Sequence, residues 1–220
     1  SDIQTFLSLS THNIANTPAS ILSWPGAGNI YATGNNGDSL IAPMVPSRRY
    51  APFVDVNGDG IYEPLQGDYP KMMGDQMLWW MYNDKTKPHM ATLSAALGFE
   101  VQVSAYAYHR NTLIDNVIYY QYNIVNRSAN TYDSFRVGQF EDVDLGNDFN
   151  DFVGYDSTFR MGFVYDGVEN DSLPSTIAND PCYGTQIPIA GITMLHLPGD
   201  SSTDLTKIKS FLTYNNDFTP

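Results

Sequence analysis

Cysteine is almost missing from this sequence. Cys182 stands alone among 220 residues, so no intrachain disulfide can staple the fold. Basic residues are scarce too: 11 Lys and Arg face 24 Asp and Glu, a formal charge of −13, and the densest basic run is Arg48-Arg49. Such a surface repels nucleic-acid phosphates and anionic membranes, which argues against both as partners. No apolar run approaches the ~20 residues needed to cross a bilayer; the longest, residues 77–82 (MLWWMY), reads as a buried strand. His12, His89, His109 and His196 are scattered without HxH or HExxH spacing, so no zinc site is expected. There is no GxSxG elbow and no Walker glycine loop. Cys182, in NDPCYGT, has no basic neighbour to hold a thiolate.

What the chain does have is apolar and aromatic bulk, 42% hydrophobic residues with 15 Tyr and 11 Phe, enough for a sizeable core. Residues 1–50 read as an irregular segment packed on that core. Ile3, Phe6 and Leu7 form one face of a short helix behind Ser1-Asp2, and residues 17–50 are dense in Pro, Gly, Asn and Ser. From residue 99 the pattern has a period of two: Phe99, Val101, Val103, Ala105 and Ala107 alternate with Glu100, Gln102, Ser104, Tyr106 and Tyr108. Residues 117–125 repeat it, with Ile118, Tyr120, Tyr122 and Ile124 on one face. Further strands are expected over 135–140, 159–165 and 189–197, and a helix over 204–214. The whole predicts an all-β fold, an antiparallel β-sandwich of jelly-roll or immunoglobulin-like kind over 51–200. A helical piece over 201–220 would continue into sequence beyond this chain.

One stretch carries a chemical signature. In Asp55-Val56-Asn57-Gly58-Asp59-Gly60-Ile61-Tyr62-Glu63-Pro64, side-chain oxygens recur at positions 1, 3 and 5 of an EF-hand-type loop, and Gly60 falls where that loop turns sharply at position 6. Ile61 offers its carbonyl at 7 and Glu63 a carboxylate at 9. Position 12 is Gln66, with Asp68 two residues on, and Pro64 with Gly67-Asp68-Tyr69-Pro70 forbids an exiting helix. This is a calcium loop without the hand. Asp55, Asn57, Asp59, the Ile61 carbonyl and either Glu63 or Asp68 are its expected ligands, with Asp68 preferred as the closing acid. The competing reading is an Asx-rich turn without metal, because Asn-Gly and Asp-Gly are favoured turn pairs. A metal here would serve architecture, since an ion in a full oxygen cage has no room for substrate.

A second acidic run, residues 141–151 (EDVDLGNDFND), offers Asp142 and Asp144 on one side, with Asn147, Asp148 and Asp151 folding back over them. Gathering these carboxylates without a cation is costly. They either splay into solvent or share a second calcium ion. Paired carboxylates also serve glycoside hydrolysis, but proximity in sequence is weak support for that.

Taken in order, WP-x-x-GN (Trp24 to Asn29), PFVDVNGDGIYEP-x-x-GDYP (52–70), GDQ-x-x-WW-x-x-ND (74–84), G-x-E-x-Q-x-x-A-x-A (98–107), Y-x-Y-x-I-x-N-R-S (120–128) and D-x-DLGN-x-x-DD-x-VG-x-D (142–156) resemble a family of very large Bacteroidetes surface proteins. Those proteins are secreted by the type IX system. The likeness covers most of residues 20–166. It departs at Asn150-Asp151, where paired aspartates are usual, and at Tyr155, where Cys is common. The resemblance implies an extracellular or cell-surface location. It implies partners in the remainder of a larger polypeptide and in the type IX machinery, engaged through a sorting domain outside this chain, and it strengthens the second cluster as a cation site. The expected function is a non-enzymatic, calcium-binding structural or adhesive module that contacts surface glycans or other surface proteins. A glycan-binding module, recognisable by Trp24, Trp79 or Trp80 in an open groove, and a carbohydrate-active enzyme are the rivals.

Overall fold

The computed structural model describes residues 1–32, 48–84, 93–133, 135–172, 182–196 and 210–213. The chain divides into two compact units, Ser1–Asp133 and Ser134–Pro220. Both are built on antiparallel sheet, and the only α-helices among the described residues are two short ones, so the fold is all-β.

In the first unit, α1 (Asp2–Leu7) is closed by a reciprocal capping box: the Ser1 hydroxyl accepts from the Gln4 amide and the Ser1 amino group donates to Gln4 Oε1. The helix buries Phe6, which stacks on His12. Pro18 precedes α2 (Ala19–Leu22), whose Ile21 is buried. Buried Asn29 then donates to the carbonyls of Leu22 (2.9 Å) and Trp24 (2.6 Å), so the WPGAGN loop is held by its own amide. A Cβ on Gly26 would lie 2.5 Å from Tyr62 Cβ, which is why the backbone there needs glycine.

These loops cover one face of a three-stranded sheet, β3 (Gln76–Asn83), β4 (Phe99–Ala107) and β5 (Ile118–Asn126), while β1 (Phe53–Val54) pairs with β2 (Tyr69–Pro70) beside it. Trp24, Ala51, Tyr62 and Met77 form the core, flanked by Phe53, Met72, Met73, Trp79 and Tyr106. Its two polar tips are satisfied: Tyr62 donates to the Ile21 carbonyl (2.7 Å) and Trp24 Nε1 to the Pro52 carbonyl (3.0 Å). The register sets Trp79 opposite Ser104 and Trp80 opposite Val103, so the two tryptophans point to opposite faces, as strand geometry requires. Trp79 joins the core side. On the other face Leu78, Trp80, Tyr82, Ile118, Tyr120 and Tyr122 are exposed, although their alternation had marked that side of β5 as the apolar one.

The motif aspartates flanking this sheet cap its turns. Asp84 accepts from the amides of Leu97, Gly98 and Phe99, and Asp75 from the His109 amide and the Arg110 guanidinium. These contacts hold Asp75 below the usual carboxylate range, the His109 amide being the largest influence.

The second unit holds β6 (Asp151–Asp156), β7 (Met161–Asp166) and β8 (Ala190–Thr193) in one antiparallel sheet. Two of the expected strands are found there: β7 overlaps 159–165 but ends one residue later, and β8 is a shorter strand within 189–197. Residues 135–140 form no strand: Phe135 and Val137 alternate with Arg136, but Gly138 and Phe140 break the period of two. β6 was unexpected, its period broken by Gly154, whose missing side chain makes room for the Phe163 ring opposite. The helix expected over 204–214 lies outside the described residues, save 210–213, which are neither helix nor strand.

A polar network crosses the core-side face of β4. Arg127 donates to both oxygens of buried Glu100 (2.8 and 3.3 Å), and Gln102 donates to Glu100 Oε1 (2.9 Å) and to the Arg49 carbonyl (2.7 Å). Burial alone would raise the Glu100 carboxyl, but the hydrogen bonds from Arg127 and Gln102 outweigh it and hold the group below its ordinary value. A depressed folded-state pKa means stability that is present above the ordinary carboxylate value and lost as pH falls through the lowered one. Arg127→Ala leaves the Glu100 charge buried without its cation and is expected to cost about 2–3 kcal/mol at neutral pH. Chemical denaturation at pH 7 and pH 3 measures this, and the wild-type advantage shrinks at the lower pH.

Candidate metal centre

The Asp55 loop leaves β1 and returns to β2, so its ends are paired strands and its middle is exposed. Asp55 folds back over the turn: one carboxylate oxygen accepts from the Gly58 amide (2.7 Å) and the other from the Gly60 amide (2.7 Å). Both glycines have φ of 79°, the left-handed region open to glycine without strain. Asn57 Oδ1 accepts from the Asp59 amide (3.1 Å) and Asp59 Oδ1 from the Ile61 amide (2.8 Å). The Asn57 amide nitrogen lies between two carboxylates, 3.0 Å from Asp59 Oδ2 and 3.3 Å from Glu63 Oε2. Asn57, Asp59 and Glu63 therefore converge on one point, with the positive end of an amide dipole at their centre.

Asp68 lies elsewhere in the architecture. It is 0% exposed, and its two oxygens accept from the amides of Val56 (2.9 Å) and Glu63 (2.9 Å). It ties the start of the loop to its end from the inner side. On the exposed side of the loop, the acid that reaches Asn57 is Glu63 (3.3 Å). Tyr62, between Ile61 and Glu63, plunges into the core, and burial with the nearby Asp68 charge pushes its hydroxyl pKa up.

Chemically this donor set suits a hard cation: carboxylates, an amide oxygen and the Ile61 carbonyl, with no sulfur or imidazole. Each carboxylate oxygen that accepts one amide keeps a second lone pair. The amide between Asp59 and Glu63 holds the place of a positive charge, and rotating it by half a turn would present its oxygen instead. Among the described residues, however, no three His, Cys, Asp or Glu side chains are gathered as a ready metal cage. Asp55 points at its backbone amides rather than at Asp59 and Glu63.

In the second unit the acidic run is divided. Asp142 and Asp144 are exposed, and Asn147 is buried, its side chain capping the short 3₁₀ turn Asp148–Asn150 by accepting from the Phe149 amide (3.3 Å). Asp151 begins β6, with one oxygen accepting from the Leu145 amide (2.8 Å). Its other oxygen is buried and has no partner among the described residues, and the same holds for Asp166 Oδ2 and Asn150 Oδ1. Asp151 and Asp166 are direct cross-strand neighbours on β6 and β7. Burial, reinforced by the charges of Asp166, Asp144 and Asp171, raises the Asp151 carboxyl against the Leu145 hydrogen bond.

Asp171, also outside the expected set, is buried and accepts from the amides of Asn147 (3.1 Å) and Tyr183 (2.9 Å). Gly146 sits where a Cβ would lie within 1.9 Å of Asp171 Oδ2, which accounts for the glycine of DLGN. Asp166 and Asp171 carried no signal in the sequence beyond residue type, since pairing across β6–β7 and the long return to residue 171 decide their roles. The structure thus sets Asp151 opposite Asp166, and leaves Asp142 and Asp144 on the surface. Comparison with protein-family models, with curated proteins and with solved structures returns no match.

Because Asp68 serves two otherwise unpaired amides, Asp68→Ala is expected to cost about 2–4 kcal/mol. Urea denaturation with calcium and with chelator checks this. The same loss in both conditions marks an internal strut, and a loss seen only with calcium marks a ligand.

Proposed function

We propose that this chain is a non-catalytic, calcium-stabilised β-module of a large secreted or cell-surface protein, with an adhesive role. The observation that carries it is the convergence of Asn57, Asp59 and Glu63 over a loop whose carboxylates have, among the described residues, no cationic side chain as a partner. Asp55, Asn57, Asp59, the Ile61 carbonyl and Glu63 hold the ion, with Asp68 as the strut behind them. Bound calcium supplies the rigidity that a chain with a single cysteine cannot draw from disulfides. A second ion is supported by the buried, unpartnered oxygens of Asp151, Asp166 and Asn150. The family likeness of the motifs supports export by the type IX route.

Calcium at ~1 mM, the range of extracellular sites, is expected to raise the melting temperature by about 4–8 °C, and chelator is expected to reverse the rise. Asp55→Ala with Asp59→Ala removes that part of the response. Asp151→Asn relieves charge in the second unit, so it raises stability in chelator and blunts the remaining response to calcium. Differential scanning calorimetry on metal-free protein reads all three, and a thermogram unmoved by calcium defeats the proposal.

A further inference from the structure

The exposed Asn57-Gly58 pair carries a chemistry that the ion-binding role of the loop does not use. An asparagine side chain is open to attack by the backbone nitrogen that follows it, and glycine at that following position has no Cβ to obstruct the approach. The sequence holds two Asn-Gly pairs, at 36–37 and 57–58, and the second falls among the described residues. Three contacts bear on it. The Gly58 N–H donates to Asp55 Oδ1 (2.7 Å), so the attacking nitrogen already points its proton at a carboxylate. Asn57 Oδ1 accepts from the Asp59 amide (3.1 Å), which polarises the carbonyl under attack. Asn57 Nδ2, the group that would leave, donates to Asp59 Oδ2 (3.0 Å) and Glu63 Oε2 (3.3 Å). Beyond the chain neighbours, no atom lies within 4 Å of the place a Gly58 Cβ would occupy, so water reaches the reacting centre.

We propose that Asn57 is a self-modifying residue, converted to a carboxylate in the metal-free loop by its own neighbours. The Gly58 nitrogen passes its proton to Asp55 Oδ1 and bonds to Asn57 Cγ. Negative charge collects on Asn57 Oδ1, where the Asp59 N–H already points, the arrangement of an oxyanion hole. The Cγ–Nδ2 bond then breaks, and the nitrogen takes the proton back from Asp55 and departs as ammonia. Water opens the resulting cyclic imide, leaving aspartate at 57, or isoaspartate where it enters at the other carbonyl. Nothing is oxidised or reduced, and water is the one co-reactant. The product matters for the ion. An amide that donates to Asp59 and Glu63 satisfies both acids without a metal. A carboxylate in its place sets three acids on one point, and like charges so placed call for a cation. Calcium loops are tuned by ligand charge, so the conversion turns a hydrogen-bonded turn into a stronger cation site. That consequence deepens the calcium reading and rests on it, while the modification itself does not.

The test is peptide mapping by mass spectrometry of the full chain after incubation at neutral pH in chelator, with the same chain unfolded in urea as the reference. Trypsin releases residues 50–71, in which Asn57 is the one asparagine, so the mass gained on conversion of amide to acid reports it, and fragment ions separate it from Gln66. The native chain is expected to convert about tenfold faster than the unfolded one, a comparison that needs no variant. Asp55→Asn keeps an oxygen for the Gly58 amide but cannot hold its proton, and is expected to lose that advantage. Asn57→Asp, the product made directly, is expected to bind calcium about tenfold more tightly than the unconverted chain by isothermal calorimetry. Native conversion no faster than in urea, or a native rate indifferent to Asp55→Asn, overturns the assignment whatever calcium does. Fast conversion beside an Asn57→Asp chain that binds calcium no more tightly upholds the modification and overturns its link to the ion. Fast conversion in a chain that binds no calcium in either form upholds the modification and defeats the calcium reading.

Discussion

Two backbone amides at the ends of an eight-residue stretch, those of Val56 and Glu63, find their acceptors in one buried carboxylate, Asp68. Much of the first unit is arranged around that fact. An ionised group out of contact with water is tolerated only when its oxygens are occupied, and here both are. The loop mouth is drawn shut from within, so the exposed side of the loop is free to present Asn57, Asp59 and Glu63 toward one another. Tyr62 enters the core between the two ends, donates to Ile21, and meets Gly26 so closely that no other residue fits there. Loop, N-terminal helices and sheet are thereby linked through a single aromatic side chain.

The second unit solves a similar problem differently. Asp171 fills the strut role, accepting from Asn147 and Tyr183 across long sequence separations. Asp151 and Asp166 remain face to face across β6 and β7 with buried oxygens that no protein donor reaches. Burial first, and the charges of Asp166, Asp144 and Asp171 after it, raise the Asp151 carboxyl. A cation would relieve it with the least rearrangement, because the groups already face one another.

How far the residues alone foretold this depends on the range of the interaction. The β4 and β5 strands and the helix behind Ser1 were legible, since alternation and a capping box are local patterns that the fold reinforces. Residues 135–140 are apolar enough to suggest a strand and form none, their period of two being lost at Gly138 and Phe140. In the calcium-type loop the spacing of Asp55, Asn57 and Asp59 was readable, while the division of labour between Glu63 and Asp68 was not. Which acid faces inward depends on where the Val56 and Glu63 amides point, a property of the folded loop. Asp166 and Asp171 escaped notice for the same reason, their meaning lying in neighbours 12 or more positions away. Trp79 and Trp80 illustrate the opposite case, where strand geometry alone assigned them to different faces.

The central claim is that Asp68 braces the loop from inside while Asp55, Asn57, Asp59 and Glu63 grip calcium from outside. A crystal structure of calcium-loaded protein, with the ion placed by its anomalous signal, tests this most directly. The account predicts an ion at about 2.3–2.6 Å from oxygens of those four side chains and the Ile61 carbonyl, with Asp68 still bonded to both amides. Asp68 turned outward into the coordination sphere, or no ion at the loop in saturating calcium, would contradict it.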